Sequence, residues 1–479
     1  MNKIKQNLGF QTAYQLLSTM LPLITSPYLS RVLGAEQIGI YSYTNSIVQY
    51  FVLFAMLGTV NYGTRSIASC REDESKCANV FANIFSLQLL MSSLMTILYV
   101  LYLLFICRKN QLIALLQIIQ LLNCLLDINW LFFGLEEFKL TVTRNFIVKG
   151  IVFAALFVFV KQEDDLWIYT ILMSASALLS QFFLWGKLPK WCRKGKASWK
   201  EMTSTIKPNI ALFIPLLAMS VYHIMDKTML GFMSSDVQSG FYYNADKLIN
   251  IPLTVITGFG TVLLPRITNL IESDRNNQAK VMFSASLEGV ILVSSAMSFG
   301  IAAIANEFVP LFFGNGFIDC ISVTIVLAPV LVIKGVSNTI RTEFLIPYHL
   351  ENKLTGSVIV GAIVNLLMNC ILIPHYGAIG AALGTLIAEF AACICQIHCV
   401  RASIHIRKIL LEGFGYCLCG VLMFIVVRRV ATHLSGGFTS VVLEIVIGGF
   451  VYCMIAGLII VLGKSELRGF LIKRNTNLK

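Results

Sequence analysis

Charge is what this chain has least of. Only 13% of its 479 residues are Asp, Glu, Lys or Arg, while 57% are hydrophobic and the mean hydropathy is +0.76. A water-soluble domain carries about 25% charged residues, so a soluble globular protein is excluded. Acid is scarcer than base, with 25 Asp and Glu against 37 Lys and Arg. The thirteen cysteines form no CxxC motif and no Cys/His cluster at zinc-ligand spacing. Cys393, Cys395, Cys399, Cys417 and Cys419 lie in apolar runs, where cysteine packs as a small hydrophobe. No nucleophile–base pair, nucleotide-binding glycine loop or large charged external loop stands out, and Glu163-Asp164-Asp165 is the clearest acidic cluster. The expectation is therefore no catalytic residue, no metal, no cofactor and no enzymatic activity.

What fills the chain is apolar. About fourteen runs reach the roughly 20 residues that a membrane-spanning helix needs. They cover approximately 9–29, 38–60, 80–106, 111–133, 140–161, 166–186, 206–232, 241–264, 282–304, 319–340, 355–373, 377–400, 412–432 and 439–462. The first and seventh are weak by hydropathy alone. No small-residue cleavage site follows the first run, so it reads as a retained span. Lys and Arg gather in every second loop, beginning with Lys3 and Lys5, and seven lie between Lys187 and Lys207. By the positive-inside rule both termini are cytoplasmic, and the 187–207 loop lies on anionic lipid. The net charge of +12 thus reports orientation and predicts no nucleic-acid partner. Arg428–Arg429 is the clear exception to the pattern.

The chain also echoes itself. Leu33–Gly34, Gly39-Ile40-Tyr41, Gly58-Thr59-Val60 and Arg65 return roughly 200 residues later as Leu230–Gly231, Gly240-Phe241-Tyr242, Gly260-Thr261-Val262 and Arg266. Six spans per repeat is an even number, so both halves enter the membrane from the same side, as parallel repeats do. The expected fold is an all-α integral membrane protein of about fourteen helices. Residues 1–200 and 201–400 form six-helix lobes, and 401–479 adds two helices and a cytoplasmic tail. Pro22 and Pro27 in the first span, and Pro215 in the seventh, predict helices broken at matching places, which is a transporter signature. The small residues of 377–384 predict close helix packing, not a phosphate loop.

An ionisable group at mid-bilayer costs about 2.5–3.5 kcal/mol, so charges inside spans should face a partner or water. Asp127, Lys149, Lys247, Lys334 and Glu389 fall inside, with Arg31, Arg65, Asp226, Lys227, Arg266, Arg341 and Glu343 near span ends. The excess is cationic, which suits an anionic substrate. The candidate substrate contacts are Arg31, Lys149, Lys227, Lys247, Arg266, Lys334, Arg341, Asn365 and Asn369. Asp127 and Glu389 are candidates for ion coupling, since a carboxyl in apolar surroundings could carry a proton. Asn365 and Asn369, with Asn45 and Gln49, suit sugar hydroxyls or ties between helices.

Several stretches carry a family resemblance. Leu21-Pro22-Leu23-Ile24 with Pro27-Tyr28-Leu29-Ser30-Arg31-Val32-Leu33-Gly34 resembles the opening of Wzx-type oligosaccharide flippases. Asp127-Ile128-Asn129-Trp130 with Gly134-Leu135-Glu136-Glu137-Phe138-Lys139 does so too. Asp226-Lys227-Thr228-Met229-Leu230-Gly231, Gly240-Phe241-Tyr242-Tyr243-Asn244-Ala245-Asp246-Lys247 and Val262-Leu263-Leu264-Pro265-Arg266 resemble that family's central motifs. Gly377-Ala378-Ile379-Gly380-Ala381-Ala382 resembles its late glycine-rich span. The resemblance covers residues 1–400. It implies a MATE-like fold and, as substrate, an undecaprenyl-pyrophosphate-linked sugar repeat unit moved between leaflets of the bacterial cytoplasmic membrane. It also implies cationic cavity residues, which map here onto Arg31, Lys227, Lys247, Arg266 and Arg341. Implied partners are membrane lipids and polysaccharide polymerase machinery. The rival readings are a lipid II flippase, a multidrug exporter of the same superfamily and a membrane polysaccharide polymerase.

Overall fold

A computed structural model describes residues 2–401, 403, 404 and 406–462, with side chains from residue 21 apart from 215, 216, 218, 219, 221, 222 and 462. The side chains of Lys3, Lys5 and Pro215, and the expected cytoplasmic tail, lie outside the described residues. The first helices are α1 (Asn2–Met56), α2 (Thr59–Cys70), α3 (Glu74–Phe105), α4 (Gln111–Leu116), α5 (Ile118–Leu126) and α6 (Asn129–Gly134). Next come α7 (Phe138–Phe159), α8 (Leu166–Trp185), α9 (Trp199–Ser204), α10 (Ile206–Met233), α11 (Asp236–Glu272) and α12 (Asn276–Phe313). The last are α13 (Cys320–Leu327), α14 (Val330–Ile340), α15 (Glu351–Val400), α16 (Ile406–Ala431) and α17 (Phe438–Leu462). Eleven helical stretches among the described residues are long and apolar enough to cross a membrane. The chain is all-helical and multi-pass, as its apolar runs require: in lipid every backbone amide must find its partner within the helix.

Two compact units divide at Gly240–Phe241. In the first, Gly34 adopts φ +73°, a left-handed conformation that breaks α1. Tyr28 on one side of it donates to the Val160 carbonyl at 2.6 Å, and Tyr41 on the other stacks edge-on against Tyr169. The two parts of α1 thus follow the two arms of the α7–α8 turn. Although α10 opens the second sequence repeat, it packs antiparallel along α1. Thr228 donates to Ser46 at 2.9 Å, and a Cβ on Gly231 would lie 2.1 Å from the Tyr43 ring. The first compact unit therefore extends past the expected boundary at residue 200.

In the second unit α15 is a hairpin. Gly377, at φ +53°, turns the chain. A Cβ on Gly380 would meet the Leu372 carbonyl at 2.3 Å, and one on Gly384 would meet Asn369 Oδ1 at 2.2 Å. Residues at similar distances on either side of Gly377 thus face each other, and only glycine lets the backbones come so near. That is the close packing expected of 377–384.

The proline expectation is corrected. Pro22 and Pro27 lie within continuous helix, as do Pro252, Pro265, Pro310 and Pro374, and the α10 backbone is uninterrupted from Ile206 to Met233. A bundle can re-satisfy the carbonyl that proline frees, so the helix need not part. Besides the second span, which parts near its end at Leu57–Gly58, the interrupted spans are the fourth and the tenth. The fourth breaks at Gln117 and at Asp127–Ile128, between α4, α5 and α6; the tenth breaks at Ala328–Pro329, between α13 and α14. A π-helical turn, Arg341–Leu345, then closes the tenth. These spans hold equivalent places in the two sequence repeats, where interrupted helices point to a binding region.

Candidate functional site

The fourth and tenth spans each organise a polar centre within their own unit. In the first unit, α5 ends at Asp127, whose extended backbone (φ −71°, ψ 112°) stops the helix. Its carboxylate accepts from the Asn129 amide N–H at 2.8 Å and from Asn129 Nδ2 at 2.7 Å. Asn129 Oδ1 in turn accepts from Arg144 Nη2 at 2.9 Å. Arg144, on α7, is only 3% exposed and also donates to Asn145 Oδ1 and the Ser180 carbonyl. Gln88 donates to the carbonyls of Cys124 and Asp127 and accepts from Trp130 Nε1. Asp127, a coupling candidate by sequence, is thus held in a network that pins a helix break. Buried polar groups of this kind must be paired, because each unmade bond costs about 1–3 kcal/mol.

Asn45 and Gln49 belong to an amide ladder between α1 and α5. Gln49 donates to Gln120 Oε1 at 2.7 Å, and Gln120 donates to Asn45 Oδ1 at 3.0 Å and to Gln117 Oε1. Gln117 donates to Thr44 at 3.3 Å. Of the two uses open from sequence, the amides here tie helices. Asp226 is buried, Lys149 and Lys227 are half-buried, and Arg31 is exposed beside the Gly34 bend.

The second unit brings together residues distant in sequence. Lys334 Nζ lies 3.1 Å from Glu389 Oε1, and the two side chains are 15% and 9% exposed. Each lies about 17 Å along its candidate span from the nearer end, Leu345 for Lys334 and Val400 for Glu389, at ~1.5 Å per residue, which suits the middle of a hydrocarbon core of about 30 Å. Lys334 and Glu389 therefore compensate each other, so Glu389 is not an isolated carboxyl. Two turns on, Arg341 opens the π-helical turn and donates to Asn338 Oδ1. A π turn inserts an extra residue, shifting the side chains that follow, and such turns recur at functional sites. Ser337 donates to Gln396, which donates to Ser357, fastening α14 to both arms of the α15 hairpin.

Asn365 and Asn369 are fully buried, and Asn369 Nδ2 donates to Asn365 Oδ1 at 3.1 Å against Gly384. That bond runs along the first arm of the hairpin, between residues one turn apart. Lys247 Nζ lies over the Tyr243 ring, 5.1 Å from its centre, and Arg266 is exposed near the end of α11.

Sequence reasoning passed over Glu288, Glu307 and Glu444 of the second unit and placed Glu343 only near a span end. Glu288 accepts from Tyr416 at 2.6 Å, Glu343 accepts from Ser286 at 2.8 Å, and Glu444 is 1% exposed. Glu307 accepts twice from Arg428 Nη1, at 2.9 Å each. That last pair accounts for one charge of the Arg428–Arg429 exception: the guanidinium is neutralised within the helix bundle. The signal available was an acidic residue inside an apolar run at 288 and 444, and just past the end of one at 307, each calling for a partner.

Comparison with known proteins agrees with this architecture. The "Putative O-antigen transporter" of Escherichia coli (strain K12) is 23% identical over 395 residues, covering 81% of this chain and 94% of that protein. The "Probable low-salt glycan biosynthesis flippase Agl15" of Haloferax volcanii is 22% identical over 196 residues, 41% of each chain. Among solved structures, "Lipid II flippase MurJ, inward closed conformation" superposes with a TM-score of 0.78 at 15% identity, covering 94% of this chain and 98% of that one. An inward-facing multidrug resistance MATE family transporter gives 0.57 at 15% identity, covering 81% and 95%. These structures establish a MATE-like fold, as the sequence motifs implied. The family described as "Polysaccharide biosynthesis protein" matches residues 4–271, more than half the chain, and this protein belongs to that family.

Proposed function

We propose that this protein flips undecaprenyl-pyrophosphate-linked oligosaccharide repeat units across the bacterial cytoplasmic membrane, for assembly of O-antigen, capsule or another exopolysaccharide. Relatives named as an O-antigen transporter and a glycan biosynthesis flippase support the substrate class. The observation that carries the reading is the mid-span Lys334–Glu389 pair with Arg341 beside it. A pyrophosphate stripped of water needs charge-assisted donors. Lys334 can supply one by exchanging Glu389 for the phosphate, which makes the pair a point where substrate charge and protein conformation are linked. Arg31, Lys149, Lys227, Lys247 and Arg266 would meet the headgroup at other depths. Movement is by alternating access, and no covalent bond is made or broken.

In this reading α1 and α15 each cross the membrane twice about their glycine bends, and α10 also crosses. The chain then has fourteen passes with both termini in the cytoplasm, and the product is handed to a polymerase outside. Deleting the protein in its native host should leave lipid-linked repeat units on the cytoplasmic leaflet, protected from an externally added glycosidase. Accumulation on the outer leaflet with loss of polymer would refute flipping and indicate a polymerase.

A further inference from the structure

A second basic centre lies in the second unit, apart from the mid-span pair. The first turns of α12 and α16 and the segment before α16 enclose a cavity of about 830 Å³. Lys280, Arg407 and Lys408 line it together with Ser284 and Glu412. Lys408 pairs with Glu412 at 3.8 Å, so one positive charge is compensated inside the cavity. Among the described residues Lys280 and Arg407 form no ion pair. The remaining charge of the lining is thus +2. Val281 and Leu411 form apolar wall and present their side chains outward.

Position narrows the ligand. Asn276–Phe313 and Ile406–Ala431 are both candidate spans, and the cavity sits where each begins. That is the headgroup level of a bilayer, and basic pockets between helices at this level bind anionic headgroups. A free anion would need only the cations. The adjoining Val281 and Leu411 suit acyl chains reaching into the same opening.

We infer that this cavity is a binding site for the phosphodiester headgroup of an anionic phospholipid, held by Lys280 and Arg407 with its acyl chains against Val281 and Leu411. The site is separate from the mid-span centre, so the inference stands whether or not the flipped substrate is the one proposed above. Each Lys or Arg near a membrane surface adds ~1 kcal/mol to anionic-lipid attraction, so removing two should lower retention about tenfold to thirtyfold.

The test uses the full-length protein purified from mixed phosphatidylglycerol and phosphatidylcholine micelles, with bound lipid counted by native mass spectrometry. The parent should retain phosphatidylglycerol over phosphatidylcholine. Lys280→Gln with Arg407→Gln should abolish that preference at an unchanged melting temperature, and Glu412→Gln should strengthen it. If the double variant keeps the parent's selectivity, or Glu412→Gln weakens it, the assignment fails. Complete displacement of phosphatidylglycerol by an equimolar amount of inorganic phosphate would also overturn the lipid as occupant.

Discussion

Gly58-Thr59-Val60 and Gly260-Thr261-Val262 are the same three residues at equivalent places in the two repeats, yet their backbones differ. Gly58 sits in the left-handed region at φ +75°, after Leu57 at φ +39°, and the helix parts there into α1 and α2. Gly260 lies inside α11, which runs unbroken to Glu272. What the second glycine provides is room: a Cβ there would meet Thr342 Oγ1 at 2.6 Å, just beyond the start of the π-helical turn. At Gly58 the nearest atom to such a Cβ is the Asn209 carbonyl, at 3.0 Å. One glycine supplies a conformation and the other an absence of bulk. A repeated motif therefore preserves a residue's smallness more faithfully than the bend built on it.

The same contrast runs through the buried cations. Arg144 in the first unit donates to amide oxygens and a carbonyl and meets the Asp127 carboxylate through Asn129, whereas Lys334 in the second meets a carboxylate directly. The sharpest way to break the comparison is to remove one charge. Lys334→Met should destabilise the protein by about 3–5 kcal/mol, because Glu389 is left buried and unpaired. Lys334→Met with Glu389→Gln should recover most of that loss, as measured by chemical unfolding in detergent; a double variant as unstable as the sum of the singles would mean that the pair is uncoupled. Export should fail in both, since the donor for the pyrophosphate is gone. Arg144→Met strands neutral acceptors directly and leaves the Asp127 carboxylate one residue further away, bonded to Asn129, so a smaller loss of about 1–3 kcal/mol is expected. A deficit matching that of Lys334→Met would show that Arg144 is balanced chiefly by charge.

The glycines give the next test. Gly58→Ala should cost about 1 kcal/mol through its left-handed backbone, and trimming a neighbouring side chain should not relieve it. Gly260→Ala should instead be rescued by Thr342→Ala, which removes the hydroxyl in the way. Equal rescue of both, judged by melting temperature, would erase the distinction between bend and bulk.

Smallest is a labelling difference. Burial pushes the Cys192 thiol up to about 12 and raises that of Cys107 as well. A raised thiol pKa keeps the group protonated across the neutral range, and the thiolate is the reactive form. Both should resist maleimide at pH 7–8 in the folded protein and react once it is unfolded in detergent at the same pH. Rapid labelling of Cys192 in the native protein would contradict its buried place beside α3.

Much of the architecture was legible because the period and length of apolar runs are local properties. The apolar runs fall in helices, eleven stretches of which are long and apolar enough to cross a membrane among the described residues, and the two glycine bends fall at Gly34 and Gly377, where the small-residue motifs stand. Pairings were not legible. Lys334 and Glu389 were each visible as a charge in an apolar run, but nothing local to either names the other. The helix breaks were misplaced for a related reason: proline is a local signal, while whether a helix parts depends on who accepts the freed carbonyl. Asp127 ends α5 through its own backbone and side chain, without a proline nearby.

The Glu307–Arg428 pair has a bearing on how the molecule is made. An arginine near the far end of a span pulls that end toward the basic side of the bilayer, against the course proposed above for α16. Glu307 belongs to α12, which leaves the ribosome earlier and is already in place when α16 arrives. Correct insertion of the last two helices is then conditional on a partner synthesised well before them. A chain carrying Glu307→Gln would be expected to yield a fraction of molecules with its C-terminal helices threaded the wrong way.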